Sequence, residues 1–203
     1  LAVNYTRRYA PNLRAVRDVL RSDELGCVQA VHGWYTKGVL HNGTHWFDLL
    51  RYLLGEVRRV SGLPAREDAS ADPGINVTLD LDGGATARLA SCDERAFTVF
   101  EMDILMTRGR LELRDAALSP RLWVARPSTR FAGYTELMEE HRSFGTAQDT
   151  LLHAVQDLVD ALETGREPLC SARDGIVALT IATAALASAR RGGETVAVEQ
   201  DEG

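Results

Sequence analysis

His41–Gly55, with the sequence HNGTHWFDLLRYLLG, is the stretch that decides the fold of this chain. Trp46, Leu50 and Leu54 recur at helical spacing, which predicts an amphipathic helix that buries this stripe against a core. Gly55 stands where a helix commonly ends. The stretch is therefore predicted to begin as an irregular turn and to continue as a buried helix.

Three residues of the predicted turn are candidates for both structure and binding. Gly43 permits a backbone conformation that is closed to other residues, and Asn42 or Thr44 can cap the N-terminus of the helix. We also expect Asn42, Gly43 and Thr44 to contact a bound substrate.

His45 and Asp48 are three residues apart and share a helix face away from the apolar stripe. The helix dipole favours a neutral imidazole at His45, and the Asp48 carboxylate can orient the ring or stabilise the cation after proton transfer, which suits a general base. One alternative is that the pair only caps and solvates the first helical turn. Another is a metal site formed by His41, His45 and Asp48, which requires a helix that extends back to His41. Gly43 between the histidines argues against such a helix.

The composition is that of a globular protein. The chain has 203 residues, of which 45% are hydrophobic and 26% charged. Its net charge is −6 and its Lys and Arg residues form no dense run, which argues against nucleic acid and anionic membranes as partners. No apolar run approaches a membrane span, and no signal peptide opens the chain. The odd, widely spaced Cys27, Cys92 and Cys170 indicate reduced thiols and a cytoplasmic location.

Two elements are predicted ahead of the central stretch. Pro11 opens a helix, and Cys27–Thr36 forms a strand that leads directly into the two histidines. Tyr35 at the end of this strand and Lys37 just after it are candidates to line the same substrate cleft as the histidines. For Lys37, a solvated strand end is the alternative.

The chain after the central helix changes to strand patterns. Strands are predicted at Val57–Leu63, Ile75–Leu81, Ala85–Ser91, Phe97–Thr107, Arg110–Arg114 and Leu122–Ala125. Turn sequences at Asp82–Gly84 and Arg108–Gly109 join neighbouring strands as hairpins. Because turns this short cannot make parallel crossovers, the sheet is predicted to be antiparallel, with helices on one face.

The C-terminal part is predicted to be mainly helical. Phe131–Gln148 has little periodicity and is expected to be a surface loop or a flap over a cleft. Thr146 with Asp149 resembles a capping box for the helix that follows. The apolar residues of that helix recur at helical spacing, at Leu151, Val155, Leu158 and Leu162. Ser171 with Asp174 is a second cap, for an alanine-rich helix that can pack closely on another element.

Several chemical motifs are missing from the sequence. It contains no G-x-G-x-x-G, no G-x-x-x-x-G-K-[ST], no G-x-S-x-G, no H-E-x-x-H and no C-x-x-C. The chain alone therefore has no recognisable nucleotide-binding motif, and a cofactor that carries the reaction would have to be bound outside it.

Four segments, in this order and spacing, resemble one known family. They are VNYTRRYAP, ELGCVQAV, HNGTHWFDLLRYLLGEV and LETGREPLCSARDGIVALTIATAALASARRG. Over almost its whole length the chain resembles the C-terminal domain of the glucose–fructose oxidoreductase / inositol dehydrogenase / MocA family of NAD(P)-dependent oxidoreductases. The resemblance implies one α+β domain over residues 1–203, with a large, mostly antiparallel open sheet and helices packed on one face, like the C-terminal domain of dihydrodipicolinate reductase. The nucleotide-binding Rossmann domain of the family is absent from this chain.

The resemblance also implies roles for individual residues. His45 matches the family's catalytic histidine, which handles a hydroxyl proton while hydride moves to or from nicotinamide. Asp48 matches the acid one turn later, and Gly43 matches the motif glycine. His41 stands where the family usually has an aspartate, so either Asp48 supports His45 or the proton takes another path. NAD or NADP would be bound mainly by the missing domain, and no metal is expected.

Two classes of function remain open at this stage. The leading interpretation is the substrate-binding and assembly domain of an NAD(P)-dependent oxidoreductase that acts on a sugar, polyol or sugar-derived metabolite. This part alone would be inactive, because the cofactor carries the hydride chemistry. The rival is a non-catalytic binding or scaffolding domain whose motif has drifted at His41. Metal-dependent hydrolysis through His41 and His45 is a third possibility.

The expected partners are a small-molecule substrate, the chain's own Rossmann domain and further copies of the chain. One face of the predicted sheet is apolar at Phe100, Met102 and Ile104, while the other face is mixed. Because the few helices cannot cover both faces, we expect a homo-oligomer, either a dimer or a tetramer, formed through the sheet.

Overall fold

The computed structural model describes residues 1–67 and 70–199. The helices are a 3-10 helix at Thr6–Tyr9, α1 at Pro11–Arg21, a π-helix at Gly38–Gly43, α2 at Thr44–Leu54, α3 at Thr150–Thr164 and α4 at Ala172–Arg190. The strands are Val28–Tyr35 (β1), Val57–Pro64 (β2), Ile75–Leu81 (β3), Thr86–Ser91 (β4), Phe100–Met106 (β5), Gly109–Arg114 (β6), Ser119–Pro127 (β7), Thr135–Glu140 (β8) and Val196–Ala197 (β9). The predicted succession of a strand, the central helix, a run of strands and two helices is confirmed.

The strands of the described residues form one open sheet in the order β8-β7-β6-β5-β1-β4-β3-β2-β9. β1 and β4 run parallel to each other, and all other neighbouring pairs are antiparallel. The parallel pair is possible because the chain between β1 and β4 passes through α2 and two further strands, which gives it room to return. The mostly antiparallel α+β fold expected from the sequence is confirmed.

α2 lies against the centre of the sheet. A side chain at Gly33 of β1 would come within 2.3 Å of the Trp46 ring, so only glycine allows this approach. The indole nitrogen of Trp46 donates a hydrogen bond to the main-chain oxygen of Glu101 at 3.0 Å. Trp46 and Leu50 are fully buried, as the helical spacing predicted. This packing fixes the position of the N-terminal end of α2, where the histidines lie.

α4 covers the edge of the same sheet face. A side chain at Gly62 of β2 would come within 2.6 Å of the main-chain oxygen of Ala185. The Gly62 N–H donates to the Ser188 hydroxyl at 2.9 Å. The close packing predicted for this alanine-rich helix is therefore confirmed. The capping box of Ser171 and Asp174 at its N-terminus is also confirmed.

Two local predictions in the C-terminal part are wrong. Part of the predicted flap is an edge strand, β8, which pairs with β7. Both of its faces are largely exposed, so its sequence has no alternation to reveal it. Asp149 does not form the expected cap with Thr146, because it adopts a left-handed conformation (φ 57°) and no side chain caps α3.

α4 also corrects the expectation that no apolar run approaches a membrane span. Among the residues that the structure describes, it is the one helix long and apolar enough to cross a membrane by length and composition. The buried helix of a globular core passes the same test. Val177, Ile181 and Ala185 of α4 are buried against the rest of the fold, so the observation is weak evidence for a membrane.

Candidate functional site

The predicted irregular turn is a π-helix, Gly38–Gly43, that runs without a break into α2. Gly43 has ordinary helical angles (φ −58°), so it does not adopt the conformation closed to other residues that it permits. It is close to Val39, whose side chain would lie 3.1 Å from an added Cβ. Because the helix is continuous, His41 and His45 lie on one side of it, with ring centroids 6.2 Å apart.

The residues between the histidines support the helix and do not cap it. No side chain accepts a hydrogen bond from the N-terminal amides of α2, so the predicted cap by Asn42 or Thr44 is wrong. The Thr44 hydroxyl instead lies 2.7 Å from the His41 carbonyl oxygen and 3.0 Å from that of Leu40. Thr44 and Gly43 are buried and Asn42 is half-buried. Of these three predicted substrate contacts, Asn42 alone has appreciable exposed surface.

Asp72 holds the π-helix in place. Its carboxylate accepts the main-chain N–H groups of Leu40 at 2.7 Å and His41 at 2.9 Å. Lys37 (φ 68°) and Gly38 (φ 69°) are both left-handed, and a side chain at Gly38 would come within 2.3 Å of the Asp72 carboxyl group. Asp72 was not predicted. Its place before a Pro-Gly pair indicated a turn but could not reveal a partner 31 residues away.

An open pocket of about 590 Å³ lies beside this turn. Its lining includes Lys37, Gly38, His41, Arg66, Asp72 and Arg95. Charged groups of both signs therefore surround it. The structure brings Lys37 and His41 together in this pocket, as predicted, whereas His45 lies next to it and outside its lining.

Tyr35 does not reach the pocket. Its side chain is fully buried. Its hydroxyl donates to the Ile75 carbonyl oxygen at 2.8 Å and accepts the Ile75 N–H at 3.0 Å. Burial raises the pKa of the Tyr35 phenol to about 12. The predicted contact between Tyr35 and substrate is therefore wrong, because the residue is part of the packed support beneath the loop.

His45 is half-buried among aromatic and cationic side chains. The Tyr5 ring contacts it edge-on, with centroids 4.8 Å apart. Burial, together with the charges of Arg7 and His41, lowers the pKa of His45 from 6.5 to about 4. The imidazole is thus neutral at physiological pH, as the helix position suggested. A neutral imidazole with exposed surface can accept a proton from a hydroxyl group.

Asp48 does not pair with His45. It is 1% exposed, and both of its carboxylate oxygens accept hydrogen bonds from Arg8, the shortest at 2.8 Å. Arg8 also donates to Asp174, which forms the capping box of α4 with Ser171, at 2.8 Å. Burial raises the pKa of Asp48 to about 6, while Arg8 acts in the opposite direction. Asp48 therefore joins α2 to the N-terminal segment and to α4, and the predicted support of His45 is wrong.

The metal alternative fails for the same reason. The helix does extend back to His41, but both oxygens of the Asp48 carboxylate are engaged by Arg8. Within residues 1–67 and 70–199, no three His, Cys, Asp or Glu side chains are grouped to hold a metal ion.

The N-terminal segment supplies site residues that the sequence analysis did not identify. Tyr5 contacts His45, Arg7 lowers its pKa, and Arg8 holds Asp48. The Arg7 guanidinium lies 3.7 Å from the centroid of the Phe100 ring, and burial lowers its pKa to about 10. The paired arginines of the YTRRY segment were the one sequence signal for these roles. Their partners could not be predicted, because they are distant in sequence.

The family is established by direct comparison. The model for the oxidoreductase family, C-terminal alpha/beta domain, matches residues 32–198. The chain belongs to this family. No curated protein sequence matches it. The family resemblance drawn from the sequence is therefore confirmed, and the segments HNGTHWFDLLRYLLGEV and LETGREPLCSARDGIVALTIATAALASARRG lie within the matched residues.

Solved structures show the same fold as this oxidoreductase-family domain. One is an oxidoreductase from Agrobacterium radiobacter in complex with NAD+, L-tartaric acid and magnesium, with 20% identity and a TM-score of 0.71 over 98% of this chain and 65% of the other. A levoglucosan dehydrogenase with NADH and levoglucosan has 16% identity and a TM-score of 0.79 over 98% of this chain and 66% of the other. An oxidoreductase from Pseudomonas syringae has 16% identity and a TM-score of 0.75 over 98% of this chain and 64% of the other. The family domain thus spans about two thirds of the length of these proteins.

Proposed function

We propose that this chain is the substrate-binding and assembly domain of an NAD(P)-dependent oxidoreductase that acts on a sugar, polyol or sugar-derived metabolite. The observation that carries the proposal is His45, a neutral and partly exposed imidazole beside His41, which lines an open polar pocket, in a domain of an oxidoreductase family. Oxidation of an alcohol requires a base for the hydroxyl proton, and His45 fits that role.

The nicotinamide cofactor, when bound, supplies the hydride chemistry. The residues present fit the proton part of the reaction, since burial and, secondarily, the charge of Arg7 keep the pKa of His45 low and its imidazole neutral. This chain contains no glycine-rich phosphate-binding turn. A preceding domain would therefore bind most of the dinucleotide, while His45 accepts the substrate's proton.

Lys37 and His41 are the proposed substrate contacts from this chain. Both line the pocket, and the Asp72 carboxylate fixes the main chain of His41. A pocket with charged donors and acceptors suits a molecule rich in hydroxyl groups. The levoglucosan dehydrogenase, which shares this fold, is known in complexes with levoglucosan and with L-sorbose. This likeness supports the sugar or polyol class.

The test is turnover by the full-length polypeptide that carries this chain. We expect NAD+- or NADP+-dependent oxidation of at least one member of a panel of sugars and polyols, followed by nicotinamide absorbance. The 203-residue chain alone is expected to be inactive. Absence of turnover and of cofactor binding by the full-length polypeptide, with both cofactors, would contradict the proposal.

A non-catalytic binding domain is the second candidate, because His41 replaces the usual aspartate of the family motif. This candidate predicts that the full-length polypeptide binds a sugar or polyol without turnover. Calorimetry on the panel, run beside the activity assay, separates the two functions.

We also propose that the domain forms oligomers through the open face of the sheet. Phe100, Met102 and Ile104 are buried beneath the helices, so the mixed face is the one available. That face carries Trp34 and Trp123, with arginine guanidinium groups within 5.7 Å of their ring centroids. Trp and Arg are the residues that most often anchor protein interfaces.

We expect light scattering at micromolar concentration to give the mass of a dimer or a larger oligomer. The interface should bury on the order of 1,500 Å², and Trp123→Glu should weaken it. Phe131→Glu, a change of an exposed aromatic residue in the β7–β8 turn, is the matched control. A monomeric wild-type chain would refute the sheet interface.

A further inference from the structure

α3 turns its apolar side towards solvent. Its large apolar residues are all exposed, namely Leu151, Leu152, Val155, Leu158, Val159 and Leu162. At 3.6 residues per turn they fall within about 120° of the helix circumference. Val155 at the centre of this arc is 51% exposed, and Leu162 is 76% exposed. A helix ordinarily buries such a stripe, and a contiguous exposed apolar patch marks an interaction site. These six residues are called the α3 face below.

The opposite side of α3 is polar and fixes the orientation of the helix. The Asp157 carboxylate accepts the Tyr9 hydroxyl at 3.2 Å and the Leu169 N–H at 2.8 Å, and it pairs with Arg166 at 2.8 Å. Ala161 is the one buried residue among those of α3. Turning the α3 face inward would break the bonds of Asp157, so the outward orientation is part of the fold.

The polypeptide enters the domain beside α3. Leu1 is 94% exposed. Ala2 pairs with Ser171, and the Val3 N–H donates to the Cys170 carbonyl oxygen at 3.0 Å. Both of these partners lie on the connection between α3 and α4. Any chain that precedes Leu1 therefore leaves the surface next to this helix pair.

We propose that the α3 face is the docking surface for the domain that precedes this chain in the full-length polypeptide. This inference rests on the proposed function, which requires such a domain to hold the dinucleotide. The chain covers 65% of the Agrobacterium radiobacter structure, and the matching family model is a C-terminal domain, so about a third of a relative's length remains for the occupant. A domain tethered at Leu1 would also meet the α3 face at a high effective concentration.

The charges of α3 favour a protein partner over an anionic membrane. The helix sequence TLLHAVQDLVDALET has three acidic residues and no lysine or arginine. Amphipathic helices that lie on anionic lipid carry basic residues on their polar side. Asp160 and Glu163 would repel such a surface.

The 3-10 helix Thr6–Tyr9 connects α3 to the candidate site. α3 packs on the 3-10 helix Thr6–Tyr9 through Tyr9 and Asp157. Within that short helix, Arg8 holds Asp48 of α2, and Arg7 lowers the pKa of His45. A domain seated on α3 would therefore rest on the element that positions the N-terminal end of α2.

Hydrogen–deuterium exchange tests the docking surface directly. We expect the amides of α3 to exchange at least about tenfold more slowly in the full-length polypeptide than in the 203-residue chain, because a docked domain suppresses local opening. Val155→Asp should abolish this difference, and Leu162→Asp should do so independently. Gln156→Asp is the matched control, because it adds the same charge on the same exposed helix outside the apolar arc, and it should keep the protection. In the 203-residue chain, all three variants should leave the melting temperature nearly unchanged.

Two results would overturn the proposal. The first is equal exchange of α3 in both wild-type proteins. The second is a dimer of the 203-residue chain that Val155→Asp converts to a monomer, which would assign the α3 face to a second copy. The proposed function can fail separately: a full-length polypeptide that protects α3 but does not turn over would contradict the enzyme and keep the docking surface. A full-length polypeptide that turns over but does not protect α3 would support the enzyme and contradict the docking surface.

Discussion

Replacing His45 by alanine in the full-length polypeptide is expected to lower kcat by about 10²-fold or more, the usual scale for losing a general acid–base. The imidazole is partly exposed beside His41, and it is neutral because burial and the charges of Arg7 and His41 lower its pKa to about 4. Cofactor affinity should change little, because the preceding domain is proposed to hold the dinucleotide. Steady-state kinetics with a cofactor titration would measure both effects.

Two further histidine variants make this result specific. His41 is exposed on the pocket, and its ring centroid is 6.2 Å from that of His45, so His41→Asn should cost much less than His45→Ala. His141→Ala, a change of an exposed histidine after β8, should leave kcat at the wild-type value. Wild-type turnover by His45→Ala would end the catalytic assignment.

The pH dependence follows from the lowered pKa of His45. Its pKa is about 4 in the folded chain, against an ordinary value of 6.5, so the acidic limb of kcat/KM should lie well below 6.5. Between pH 4 and pH 6.5 the unfolded chain binds more protons at His45 than the folded chain does. The contribution of neutral His45 to the free energy of unfolding is therefore complete above pH 6.5 and is lost as the pH falls through 6.5 towards 4. In chemical denaturation of His45→Gln, this part of the pH dependence should be missing.

Local sequence patterns were sufficient for most of the fold. Trp46 and Leu50 recur at helical spacing because one side of α2 must be buried, and Asp82-Gly83-Gly84 supplies the residues that a tight hairpin needs. The capping box of Ser171 and Asp174 was predictable for the same reason. Each of these signals lies within a few residues of the structure that it specifies.

The contacts around the histidines could not be predicted in this way. Arg8 and Asp48 are 40 residues apart, and Asp72 is 31 residues from His41. Spacing along α2 placed Asp48 near His45, but burial of a carboxylate requires a cation, and the partner came from the N-terminal segment. Helical spacing also identified the apolar stripe of α3 without indicating that it faces outward, since periodicity does not say which side meets the rest of the chain.

Replacing Arg8 by methionine is expected to lower the free energy of unfolding of the chain by about 3–5 kcal/mol, because removing one partner leaves a buried charge uncompensated. Asp48 is 1% exposed, and all three of its hydrogen bonds with Arg8 would be lost. Urea unfolding at neutral pH would measure the loss. Arg14→Met, a change of an exposed arginine on α1, is the control and should cost about 0.5 kcal/mol or less.

The double variant Arg8→Met/Asp48→Leu isolates the cause of that loss. Because an apolar pair leaves no buried charge, the double variant should be clearly more stable than Arg8→Met alone.

The pH dependence of the stability of Arg8→Met gives a second signature. Burial already raises the pKa of Asp48 to about 6, and removal of Arg8 would raise it further. A group with a raised folded pKa favours folding below its unfolded pKa of 3.8 and loses that contribution as the pH rises through the folded value. The deficit of Arg8→Met should therefore be largest at neutral pH and should shrink in acid, where Asp48 takes up a proton. A deficit that is independent of pH, or one that Asp48→Leu does not relieve, would show that Arg8 stabilises the chain by packing and not by holding Asp48.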